Sequence, residues 1–185
     1  MKEQQKKYEL TDEFIVHWSG KKLYRIRALV AFGTVAAGQL GGFVESEENL
    51  DQSLPGDAWV YGDARVYDNA RVYGDARVYG DARVYGDAWV YGDARVYGNV
   101  RVSSYAVISE RKMIFWASNI GSENGTLTVF NGKDRLIVTR GCFTGTVDEF
   151  LAKSAEVHDD KTKNEYKLLI EVARSRILGV KDERN

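Results

Sequence analysis

The sequence predicts a mainly β molecule whose middle third is a parallel β-helix. Three observations carry that prediction. From Gly56 the chain runs, without an insertion, through GDAWVY, GDARVY, DNARVY, GDARVY, GDARVY, GDAWVY, GDARVY and GNVRVS, then a degenerate ninth hexad, SYAVIS, that ends at Ser109. There are 18 glycines against one proline, Pro55, and 11 tyrosines that are not scattered. Such a fixed period is the first thing to seek in a chain, because it sets the whole fold.

Each hexad divides into one short strand and one corner. In Arg-Val-Tyr the outer two side chains point one way and valine the other. Valine, β-branched, suits the inside. Gly-Asp supplies the bend, since glycine accepts positive φ and aspartate bonds its own backbone. Alanine is small enough for the inside of a tight corner. Three hexads close a triangular coil of 18 residues. Successive coils stack about 4.8 Å apart through main-chain hydrogen bonds.

This periodicity resembles the hexapeptide-repeat left-handed β-helix family. The resemblance covers roughly residues 33–109, about four coils, with GTVAAGQLGGFVESEENLDQSLPGDAW as an irregular first coil. The left hand is implied by the resemblance alone, because general rules favour right-handed parallel crossovers. The expected fold is a left-handed parallel β-helix with an N-terminal β-hairpin and a C-terminal α+β cap.

The flanks define three segments: a hairpin cap at 1–33, the repeat helix at 34–109 and an α+β domain at 110–185. In the first, 12–18 alternates, Ser19-Gly20 turns and 22–29 alternates again. This hairpin is expected to cover the end of the coil stack, whose strand edges are otherwise open to other molecules. In the third, 113–117, 126–130 and 135–139 read as strands, with Asn131-Gly132-Lys133-Asp134 as a turn. TVDE at Thr146 to Glu149 is a capping box opening a helix to about Val157. TKNE at Thr162 to Glu165 is a second, opening a helix with Tyr166, Leu169, Ile170, Ala173 and Ile177 at helical spacing. The tail, 181–185, is polar and expected to fray.

The chain also resembles a group of bacteriophage and prophage proteins with YGDARV-type repeats. The motifs are YRIRAL and AGQLGGFVESEENL before the hexads, and RGCFTGTVDEF and YKLLIEVA after them. The resemblance implies a phage accessory gene product.

Hexads three apart share a face. Face one carries Trp59, Arg77 and Arg95; face two Arg65, Arg83 and Arg101; face three Arg71, Trp89 and Val107. The tyrosines stack as Tyr61, Tyr79 and Tyr97, as Tyr67 and Tyr85, and as Tyr73 and Tyr91. Corner acids form columns such as Asp57, Asp75 and Asp93. Most of this pattern serves as solvated scaffold, since like rings and guanidinium groups stack at strand spacing. The functional alternative is a docking face. Its candidate exposed residues are Trp59, Trp89, Arg65, Arg77, Arg83, Arg95, Tyr67, Tyr79, Tyr85 and Tyr91, because Trp, Tyr and Arg dominate interface hot spots. Direct nucleic-acid binding is disfavoured: from Gly56 to Ser103 there are seven Asp against six Arg.

Composition narrows the rest. Apolar residues make up 44%, charged residues 29%, and the net charge is -1. The longest apolar run, 28–32, is too short to cross a bilayer, and the charged start has no apolar stretch behind it. The one cysteine, Cys142, forms no internal disulfide and reads as a small buried residue, so the expected location is the cytoplasm of the bacterial host.

Hexapeptide-repeat acyltransferases, as the resemblance implies, use a coil histidine as general base between subunits of a trimer. Here the two histidines, His17 and His158, lie off the coils. The three zinc histidines of a γ-class carbonic anhydrase are absent, as are the threonine ranks of an ice-binding face. Cys142 with His158 as a catalytic pair, and His158-Asp159-Asp160 as metal ligands, both read more simply as packing and a solvated loop. The expectation is a non-enzymatic binder with no cofactor and no metal. It is a homo-oligomer, trimer or dimer, whose partner is a host protein complex or a small nucleotide. The sharpest form of it is an inhibitor of a bacterial defence system, acting either by anti-CRISPR-type docking on a host nuclease complex or by sequestering a signalling nucleotide between subunits. The alternatives are an acyltransferase-like enzyme and a structural assembly protein.

Overall fold

The computed structural model describes residues 5–179. The polar tail at 181–185 lies outside them. The chain opens with β1 (Tyr8–Val16) and β2 (Lys22–Ala28), an antiparallel hairpin. β3 (Leu40–Val44) follows, and then nine two-residue rungs six residues apart. They are β4 (Trp59–Val60), β5 (Arg65–Val66), β6 (Arg71–Val72), β7 (Arg77–Val78), β8 (Arg83–Val84), β9 (Trp89–Val90), β10 (Arg95–Val96), β11 (Arg101–Val102) and β12 (Val107–Ile108). All rung pairings are parallel, joining β4 to β7 to β10, β5 to β8 to β11, and β6 to β9 to β12. This is a β-solenoid of roughly four turns, and the three ladders carry the residues read from the hexads.

The alternation explains the interior. Ala64, Ala76, Ala82, Ala94 and the inward valines of the rungs from Val60 to Val102 are buried, forming one column of small and one of branched side chains per face. Removing a rung valine to alanine costs about 2 kcal/mol by the usual burial scale. The corners leave no room for bulk: a Cβ at Gly74, which has φ +68°, would sit 3.1 Å from the Gly92 backbone nitrogen. Asp68 and Ser104 hold glycine positions at φ +57°. Asp68 is compensated there, since its carboxylate accepts from Gly86 N at 3.2 Å and pairs with Lys21 at 2.5 Å.

Both ends of the stack are closed. At the first end β2 pairs antiparallel with β3, so one sheet runs β1-β2-β3-β5-β8-β11. Tyr8 and Phe32 fill the axis above Trp59, and the Tyr8 hydroxyl donates to Leu50 O at 2.6 Å. Lys7 is buried beside them, its ammonium donating to Gly56 O at 3.0 Å. The hairpin does more than cap. Its outer side, Ile15 and Leu23, packs with Phe43, Tyr67 and Tyr85 on the exterior of face two.

At the other end stands an antiparallel sheet of β13 (Ile114–Ile120), β14 (Gly125–Asn131), β15 (Leu136–Arg140) and β16 (Phe143–Thr146), in that order. Ile114 and Phe130 join the solenoid core, and Asn131 Nδ2 donates to Val107 O at 3.0 Å. The sheet's other apolar residues, Leu127, Val129 and Val138, pack under α1 (Val147–Val157) and α2 (Asp160–Leu178) with Phe150, Tyr166 and Ile170.

Two local readings differ from the structure. The fourth strand, β16, went unread because FTGT is short and carries a glycine. α2 starts at Asp160, capped by Asp159, whose carboxylate accepts from Thr162 N at 2.8 Å. The proposed cap, Thr162, is buried inside the first turn, and Glu165 Oε2 instead accepts from Gly121 N at 3.3 Å. The TVDE box caps α1 as read, with both reciprocal bonds present.

Candidate functional site

The three faces differ in how much of their ladders remains free. On face one, Trp59 keeps register with Arg77, yet its indole is fully buried. Tyr8 and Phe32 enclose it edge-to-face at 5.9 and 5.3 Å. It is therefore a core residue and no part of an exposed docking ladder. Arg77 and Arg95 below it are half-buried. Tyr79 and Tyr97 stack at 4.8 Å with planes 7° apart, and Trp116 of β13 closes the column at right angles, 4.5 Å from Tyr97.

Face two is largely covered. Tyr67 is 5% exposed, with the His17 ring 4.8 Å away and Tyr85 stacked below at 5.1 Å. Tyr67 too drops out of the exposed set, because the hairpin lies over it. Burial, and then Tyr85, push the Tyr67 phenol up to about 12. Burial, and then the Arg83 guanidinium, hold the His17 imidazole below its ordinary value. Arg65, Arg83 and Tyr85 remain half-buried, and Arg101 donates to Gly141 O at 2.8 Å.

Face three is the open one. Trp89 is 49% exposed, Arg71 beside it is exposed, and Tyr73 and Tyr91 stack at 4.9 Å with planes 1° apart. A groove of about 560 Å³ runs between this ladder and the first coil, lined by Trp89, Arg71, Tyr73, Glu47, Leu50 and Asp51. Leu50 bridges Val72, so the groove floor is continuous with the sheet. A half-exposed indole on a rigid two-residue rung, flanked by a guanidinium and by carboxylates, can seat an apolar anchor and orient it by charge. The backbone of the rungs is fixed by the parallel ladders, so only side chains such as Arg71 have to be ordered on binding.

The remaining candidates fall elsewhere. His158 caps α1, its Nδ1 3.0 Å from Ser154 Oγ and its ring 5.3 Å from Tyr166. Cys142 is exposed, contrary to the buried reading, because the turn after Arg140 projects it from the sheet edge. Among the described residues, no group of three or more His, Cys, Asp and Glu is arranged to hold a metal, and no helix is long and apolar enough to cross a membrane.

Sequence reading passed over Trp116, Arg111 and Arg176. They lie in non-repeating segments, so no period marks them. They meet Tyr79, Arg95 and Tyr97 in a second concavity of about 480 Å³.

A family model described as the YdcK beta solenoid repeat matches residues 58–74, 64–77, 76–92 and 94–110. The hexads are thus similar to a known solenoid repeat, in agreement with the parallel ladders. No curated protein matches the chain.

Proposed function

We propose that the protein is a non-enzymatic binding protein of phage type, with hexapeptide-repeat coils, that inhibits a bacterial defence system by docking on a host nuclease complex. The observation that carries the reading is Trp89, an indole left half exposed over a groove on the uncovered face, while Trp59 on the matching ladder is sealed. An exposed indole within a pocket of mixed charge is the residue type on which interface energy concentrates. Arg71 on one side and Glu47 and Asp51 on the other give the groove a polarity that fixes how a partner sits. The protein acts in the host cytoplasm as a small homo-oligomer, the trimer of hexapeptide-repeat coils ahead of a dimer through the C-terminal unit.

The test is phage challenge of a host with an active nuclease defence. Expression is expected to restore plaque formation, and tagged protein to recover a nuclease subunit. Trp89→Ala removes an exposed side chain, so it should leave the fold intact and weaken capture by about 2 kcal/mol or more. Unchanged defence together with no recovered defence component would sink the proposal.

A further inference from the structure

The concavity where face one meets the C-terminal unit is built unlike the rest of the surface. Its volume of about 480 Å³ lies in the range of small-molecule sites. Arg95 reaches it from a rung, Arg111 from the 3-10 turn Arg111–Met113, and Arg176 from the last turn of α2. Three arginines from three elements thus line one concavity, and like charges sharing a cleft cost free energy unless an anion joins them. One carboxylate among the described residues lies within ion-pair distance of these arginines, Asp93 Oδ2 at 3.7 Å from Arg111 Nε, and this exposed pair is weak. Among the described residues, Arg95 and Arg176 form no ion pair.

The opposite wall is aromatic, the Tyr79–Tyr97 stack ending on the perpendicular Trp116 indole. Tyr97 is 41% exposed, stacked on Tyr79 and met edge-on by Trp116. Burial and Tyr97 raise the Tyr79 phenol, while Arg95, Arg111 and Arg77 pull it back, so the guanidinium field reaches the aromatic wall. Guanidinium groups recognise phosphate oxygens, and aromatic faces stack on a planar base.

We infer that this cleft binds a nucleoside phosphate, its base against the Trp116 indole at the end of the Tyr79–Tyr97 column and its phosphates held by Arg95, Arg111 and Arg176. The occupant is a small nucleotide and not a nucleic acid. A long polyanion leaving the cleft would run along the corner carboxylates of Asp75 and Asp93, whereas a mono- or diphosphate ends within it. The site is separate from the Trp89 groove on face three, and either can fail alone.

Calorimetry and tryptophan fluorescence on the full chain test it with AMP, ADP, inorganic pyrophosphate and a thymidine oligonucleotide. ADP is expected to bind with a micromolar dissociation constant that weakens with salt, and pyrophosphate at least about tenfold more weakly. Arg111→Ala and Arg176→Ala, both at exposed positions, should each lower ADP affinity about tenfold with the melting temperature unchanged. Trp116→Phe should remove most of the fluorescence change. No response to AMP or ADP up to millimolar concentration would overturn the inference. So would pyrophosphate binding as tightly as ADP, an oligonucleotide binding in preference to both, or arginine variants that bind like the parent chain.

Discussion

Ser104 sits at φ +57° in a corner column otherwise held by glycine and one aspartate. The left-handed region costs a residue with a Cβ about 1 kcal/mol. Asp68 recovers part of that cost through Lys21 and Gly86, as described above. Ser104 has no such side-chain bond among the described residues. Ser104→Gly is therefore expected to stabilise the fold by about 1 kcal/mol. Gly80→Ala, at φ +70° with Gly98 N only 3.1 Å from the added carbon, should cost about 1–2 kcal/mol. Urea unfolding of both variants checks the pair, and equal midpoints would refute it. At this scale the hexads told nearly everything: inward Val and Ala, outward Arg and Tyr, glycine at the bend. They misled at Trp59 and Tyr67. Outward register was legible there, but the covering groups, Tyr8, Phe32 and His17, lie in segments with no period to place them.

The hairpin is the element whose role grew most. Its tip carries His17 onto Tyr67, and the imidazole is held below the ordinary 6.5 by burial and then by Arg83. Just below 6.5 the unfolded chain binds more protons than the folded one, so stability falls as pH drops through that window. Unfolding midpoints at pH 7.5 and 5.5 should differ for the parent chain, and His17→Gln should flatten the difference. The carboxylates of Glu149 and Asp159, held low by their bonds to Thr146 and Thr162, act only at more acidic pH. A parent chain as stable at pH 5.5 as at 7.5 would refute the assignment. The hairpin's existence was readable from alternation. Its wrap over face two was not, because that depends on β2 pairing with β3 across the irregular first coil.

At the scale of the whole molecule, both ends of the stack are occupied, one by the hairpin and the other by the four-stranded sheet. Closed ends oppose end-to-end growth. Light scattering is therefore expected to give a fixed small multiple of the 20.9 kDa chain. Mass that climbs with concentration would favour an assembly protein over a binder. The ladders were legible as a whole from the period. Which face stays free was not, since it is decided by where the two non-repeating ends lie.

The corner geometry that fixes three hexads per coil has one more consequence. The solenoid works as an indexed shaft between its two ends. Gaining or losing 18 residues would shift the C-terminal unit along the axis by about 4.8 Å and leave its facing unchanged. Gaining a single hexad would turn that unit by about a third of a revolution relative to the hairpin and bring a different ladder under Trp116. Repeat number in such a chain thus sets the angle between its two ends, as well as the distance.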